Sequence, residues 1–165
     1  MKHNKHGNAR ILIVDDDRNV VDVLMDFVTR LGYRGVPAYG GIEGLSRFRE
    51  GDFQLVLLDL VMPDMDGMEV LEAIKGINST TSVIMISGLG TIEKAVDAMK
   101  KGAYYFISKP VDLKTLEVVI LRAIEWQAMK KQWGIFRGLT LALVISIPLW
   151  LILGIMLARL LLSKG

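Results

Sequence analysis

Cysteine is absent from the 165 residues. That excludes a disulfide framework and any thiolate chemistry, and it fits a reducing compartment. Charge of one sign is also scarce. A formal net charge of +2 gives no bulk electrostatic case for nucleic-acid binding. The opening stretch MKHNKHGNAR lacks the apolar segment that a secretory signal needs. Residues 1–9 read as a solvated, disordered tail, with His3 and His6 as tail residues rather than metal ligands. No DNA-binding domain, ATPase domain or zinc site is legible in the chain. Charge is missing altogether from Gly138 to Ala158, and apolar residues are concentrated there.

What is present is an alternation. Short apolar runs at Ile11–Val14, Arg34–Ala38, Leu55–Leu58, Val83–Ile86 and Tyr105–Ile107 have the length of strands. The first, third and fourth are apolar throughout, as strands covered on both faces are. Helical stripes lie between and after them. Val20, Leu24, Phe27 and Leu31 form one. Ile92, Ala95, Val96 and Met99 form another, and Leu113, Leu116, Ile120, Ala123 and Ile124 a third. All three read as ordinary core packing. Five strands alternating with five helices predict an α/β fold, an open parallel sheet wound on both sides.

Ligands of such sheets bind beyond the carboxyl ends of the strands. Asp15, Asp16 and Asp17 follow the first run, Asp59 the third, Ser87 and Gly88 the fourth, and Ser108, Lys109 and Pro110 the fifth. The second run, which leads into Tyr39, offers nothing reactive. Asp17, Asp64 and Asp66 read as helix caps or turn formers. The remaining carboxylates would repel one another at close range. A divalent cation with hard oxygen ligands relieves that repulsion. Mg2+ suits best, because it takes a few carboxylates, keeps several waters and accepts phosphate oxygens. Lys109 adds a point charge that can pair with Asp59 or a phosphate, and Ser87 one hydroxyl donor. Such a set can hold a phosphoryl group in transfer to a carboxylate.

The segments ILIVDDD (11–17), LVLLDLVMPDMDG (55–67), VIMISG (83–88) and AMKKGAYYFISKP (98–110) resemble, in order and spacing, the receiver domain of bacterial two-component response regulators. The last segment is similar to receivers of the nitrogen-regulation type. The resemblance runs from about Arg10 to Gln127, places a receiver domain at 10–129 and implies a flavodoxin-like fold with strand order 2-1-3-4-5. It further implies Asp59 as phosphoacceptor and Asp15, Asp16, Asp59 and the Val61 backbone carbonyl as Mg2+ ligands. Ser87 becomes the switch hydroxyl, Phe106 the aromatic that changes rotamer, and Lys109 the phosphoryl-binding lysine. Pro110 stands where the family often has a cis peptide. The implied partners are a histidine kinase or phosphotransfer protein and a downstream protein that the sequence does not name. Tyr105 stands where many relatives carry Asp, and Ser87–Gly88 replaces the commoner Thr–Ala. Val61 and Leu89, two residues beyond Asp59 and Ser87, are apolar and cannot orient a water, so a long-lived phosphorylated form is expected.

The C-terminal third departs from a lone receiver. A helix over the 21 uncharged residues from Gly138 to Ala158 would extend about 31 Å at about 1.5 Å per residue, close to a hydrocarbon core of about 30 Å. The reading is a basic juxtamembrane linker at 130–137, a single transmembrane helix at 138–162 and a short tail at 163–165. Trp133 marks an interface, and Pro148 a kink that a membrane helix tolerates. Lys130, Lys131 and Arg137 precede the span, while Arg159 and Lys164 follow it. With the phosphodonor cytoplasmic, the receiver faces the cytoplasm from a single-pass inner-membrane anchor. Small residues at Gly134, Gly138 and Ala142, and at Gly154 and Ala158, allow a homodimer through the anchor. A phosphate relay or sink would use the same site. An alternative enzyme reading takes VDDDRN as the start of an Asp-nucleophile phosphatase. There Asp59 would not be the nucleophile, Asn19 replaces the usual Thr or Val, and the chain is short for a substrate cap.

Overall fold

The computed structural model of the chain describes residues 9–88 and 91–129, together with residues 146 and 150 singly. Five strands, β1 (Arg10–Val14), β2 (Arg34–Ala38), β3 (Leu55–Asp59), β4 (Ser82–Ser87) and β5 (Tyr105–Ser108), alternate with helices α1 (Arg18–Arg30), α2 (Gly41–Glu50), α3 (Gly67–Ile77) and α4 (Ile92–Lys100). Residues 113–129 form a further helix, α5. The strands pair in parallel in the order β2-β1-β3-β4-β5. The α/β alternation and the 2-1-3-4-5 order are those expected. The linker at 130–137 and the span at 138–162, with its small-residue repeats, lie outside the described residues save those two. Among the described residues no helix is long and apolar enough to cross a membrane. The chain divides into two units, Met1–Gln127 and Ala128–Gly165.

Strand side chains alternate between the two faces, and the buried residues sort accordingly. Ile11, Ile13, Leu55, Leu57, Ile84, Ile86 and Ile107 pack with Val21, Leu24, Phe27 and Val28 of α1 and Leu116, Ile120, Ala123 and Ile124 of α5. Leu12, Val14, Val56, Leu58, Val83 and Met85 pack on the other face with α2, α3 and Ala98 of α4. Because both faces are covered, β1, β3 and β4 carry no polar alternation.

Two helical stripes differ from expectation. In α1 the buried side chains are Val21, Leu24, Phe27 and Val28, with Val20 and Leu31 at the margin. Apolar residues at both 20 and 21 allow two phases of one helical period, and packing selects the second. In α4 the stripe faces outward. Ile92 is 81% exposed, Val96 and Met99 are exposed, and Ala98 is the helix's buried residue. The small Ala98 side chain brings this helix close to the sheet, leaving the larger residues opposite.

Caps set where the helices start. Asp17 accepts from the Asn19 amide and Asp66 from the Met68 amide. Pro37 lies in β2, at one edge of the sheet, where a missing amide donor is tolerated. The four-residue β5 forms the other edge.

Candidate functional site

The carboxyl ends of β1, β3 and β4, with the segment after β5, bring the expected residues together. Asp59 is the last residue of β3 rather than the first after it, and Ser87 the last of β4. Asp15 and Asp59 are 3% and 5% exposed, while Asp16 is exposed. Oxygen atoms of the three carboxylates lie within 4.8 Å of one another. The Lys109 ammonium bridges the two buried ones, with Nζ 2.9 Å from Asp15 Oδ2 and 2.8 Å from Asp59 Oδ1. The second oxygen of each accepts a backbone N–H. Asp17 donates to Asp15 Oδ1 at 2.9 Å, and Val61 to Asp59 Oδ2 at 2.8 Å.

Burial pushes the Asp59 carboxyl above the usual carboxylate range, and the neighbouring Asp15 charge pushes the same way. The hydrogen bond and charge of Lys109 and the Val61 amide oppose it without prevailing. For Lys109, burial alone would lower the ammonium pKa. The hydrogen bonds and charges of Asp59 and Asp15 outweigh it and raise the value. The lysine therefore stays charged across the neutral range. Three carboxylates still face a single ammonium. That residual negative charge and its all-oxygen donors fit a hard divalent cation.

Ser87 is buried, and its carbonyl accepts from the Lys109 amide at 2.8 Å. Phe106, half-buried in β5, lies level with Met85 of β4 and packs on the α2–α4 face. Strand alternation places Ser87 on the same face as Met85. The Lys109–Pro110 peptide is cis. Val61 is 47% exposed. Leu89 lies outside the described residues.

Close backbone approach shapes the floor. A Cβ on Gly67 would lie 2.2 Å from the Asp59 carbonyl oxygen, so only a glycine lets α3 begin there.

Residues 11–121 match the family described as the response regulator receiver domain. The chain belongs to that family. The receiver is 36% identical over 123 residues to the regulatory protein AtoC of Escherichia coli K12, covering 74% of this chain and 27% of AtoC. It is 38% identical over 117 residues to the DNA-binding transcriptional regulator NtrC of Azospirillum brasilense, covering 70% of this chain and 24% of NtrC. The chain thus spans about a quarter of the length of these curated relatives. Among solved structures, a receiver domain protein from Clostridium thermocellum superposes with a TM-score of 0.70 at 32% identity, covering 73% of this chain and 98% of that one. NtrX from Brucella abortus superposes with a TM-score of 0.73 at 33% identity, covering 79% of this chain and 30% of NtrX.

Two features of the receiver were not read from the sequence. Asp64 does not cap its own helix. Its carboxylate accepts from the Gly41 and Ile42 amides, both at 3.0 Å, at the start of α2. Beyond the second strand's end, the Arg18 guanidinium lies over the Tyr39 ring, 4.4 Å from its centre. The one signal for the first was the pair Gly40–Gly41, a helix start without a capping side chain. For the second there was none, because the pair spans two elements.

Proposed function

We propose that this chain is a membrane-tethered receiver that takes a phosphoryl group onto Asp59 from a phosphohistidine of a kinase or phosphotransfer protein. The observation that carries the reading is the Lys109 ammonium set between Asp15 and Asp59 beside Asp16. An Asp59 carboxylate oxygen attacks phosphorus. The P–N bond breaks, and the imidazole leaves with its electron pair. Asp15, Asp16, Asp59 and the Val61 carbonyl would hold a Mg2+ ion, which when bound would supply charge neutralisation to the phosphoryl oxygens. Lys109 leaves its carboxylate pairing to contact the phosphoryl group. The Ser87 hydroxyl donates to it, and Phe106, beside the same strand end, repacks as Ser87 moves. A partner protein reads that rearrangement. The module modifies itself and turns over no separate substrate.

The lack of polar side chains at Val61 and Leu89 supports slow hydrolysis of the acyl phosphate. The uncharged stretch Gly138–Ala158 supports an inner-membrane anchor at 138–162, with the receiver in the cytoplasm, where ATP feeds the kinase.

Treating the full chain with acetyl phosphate and Mg2+ tests the reading. The expected result is one added phosphoryl group, mapped to Asp59 and absent from Asp59→Asn. Unchanged labelling in that variant refutes it, and a label on Asp15 favours phosphatase-type chemistry. Decay of the label within seconds would refute the long-lived form. Membrane fractions washed with alkaline carbonate should retain the chain, and its release would refute the anchor.

A further inference from the structure

The loop 60–66 joins Asp59 to α3 and contains Val61. It is closed at its base, where the Gly67 amide donates to the Leu60 carbonyl at 2.9 Å. The Leu60 amide ties that base to β4 through the Ile86 carbonyl at 3.1 Å. Met62 is buried and plants one side of the arc on the core, and the Val61 amide is tied to Asp59 Oδ2 at 2.8 Å, whereas the half-exposed Val61 side chain fixes little. The other side of the arc is held by Asp64.

Asp64 is matched to α2 by three features. Gly40, the N-cap residue, has no side chain to satisfy the first amides of the helix, and Asp64 takes both Gly41 and Ile42. Gly40 has φ 155°, and a Cβ there would lie 2.7 Å from Asp64 Oδ2. A Cβ on Gly41 would lie 2.9 Å from Met65 Cβ and 2.8 Å from Val70 Cγ2. Two adjacent glycines therefore let the start of α2 close onto the loop, and a carboxylate 23 residues away locks it. Burial pushes the Asp64 carboxyl up more than any one partner pulls it down, but the Ile42 and Gly41 amides, with the amides of Asp64 and Met65, together hold it low. The lock is an anion across the neutral range.

We propose that Asp64 is a positioning residue for the phosphoryl site, fixing the arc that carries the Val61 carbonyl by capping α2 from the loop. This rests on the Mg2+-dependent receiver reading above. Without the lock, the arc keeps its base, the Val61 amide on Asp59 Oδ2 and Met62, but loses its hold on α2 on the far side of the Val61 carbonyl. The backbone oxygen offered to the metal then becomes poorly fixed, and metal affinity falls while the three carboxylates remain in place.

The test uses the full chain, without a phosphodonor, as wild type, Asp64→Ala, Asp64→Asn and Ile74→Ala. Two quantities are read: the Mg2+ midpoint of the rise in unfolding temperature, and amide exchange at Gly41 and Ile42. Outer-sphere supports of metal ligands are worth about 10- to 100-fold in affinity, so Asp64→Ala should raise the midpoint about tenfold and speed exchange at both amides. Asp64→Asn keeps one acceptor oxygen and should fall between, and it carries the test if the alanine variant does not fold. Ile74→Ala, a buried core truncation, should lose stability with its midpoint unchanged. Faster exchange at Gly41 and Ile42 with an unchanged midpoint overturns the proposal, because Asp64 would then only cap α2. A wild-type chain without any Mg2+ response overturns the receiver reading itself and this inference with it.

Discussion

Replacing Asp59 with asparagine should not destabilise the domain, although the residue is 5% exposed and bonded to a lysine. The pairing of Lys109 with Asp59 at 2.8 Å contributes about 6 kcal/mol of attraction at an effective dielectric of about 20. The nearby Asp15 charge, within 4.8 Å, opposes it by about 3.5 kcal/mol on the same scale, and the exposed Asp16 by a screened fraction of that. Dehydration of the carboxylate removes the rest, as its raised pKa implies. In the variant, Lys109 keeps Asp15 at 2.9 Å, and the amide oxygen can still accept from Val61. The expected change without Mg2+ near pH 7.5 is between zero and a gain of about 2 kcal/mol. The sign with pH follows from the direction of the shift. A carboxyl whose folded pKa is raised contributes stability below its unfolded value and loses it as pH rises through the folded value. The variant's advantage should therefore grow as pH rises above about 4, the ordinary carboxyl value. Urea denaturation at several pH values measures it. Millimolar Mg2+ should reverse the ranking, since a ligand at 100 times its dissociation constant adds about 2.7 kcal/mol to the wild type and less to a site missing one carboxylate. A loss above about 2 kcal/mol on Asp59→Asn near pH 7.5, or an advantage that grows as pH falls, would refute this balance of charges.

Lys109→Met leaves two buried carboxylates without their cation. Urea denaturation without Mg2+ should show a loss of about 3 kcal/mol, much of it recovered when Mg2+ is added. Gly67→Ala forces a methyl group onto the Asp59 carbonyl oxygen. It should cost about 3 kcal/mol in the same assay and depress labelling at Asp59, because the backbone under the acceptor has to move. Ile92→Ser removes a large apolar residue that meets solvent, so its stability should stay within about 0.5 kcal/mol of wild type.

The last of these separates what the sequence carried from what it did not. Strands were legible because β1, β3 and β4 are buried on both faces, which leaves unbroken apolar runs. The acidic trio and Lys109 were legible because a parallel sheet sends every strand end to the same edge. Helix faces were less so. Ile92, Val96 and Met99 repeat at helical spacing yet face outward, because a single Ala98 makes the close contact. Val20 and Val21 leave the phase of α1 open until the sheet selects one. The Asp64 lock joins residues 23 apart in sequence, and no local spacing encodes such a pair. Gly40–Gly41 marks only the vacancy that it fills.

Both borders of the sheet discourage growth. Pro37 interrupts the row of donors along β2, and β5 is only four residues long. A neighbouring copy seeking to add a strand would find too few backbone partners on either side. The described sheet is thereby closed at both borders to the open-ended strand stacking that leads to fibrils.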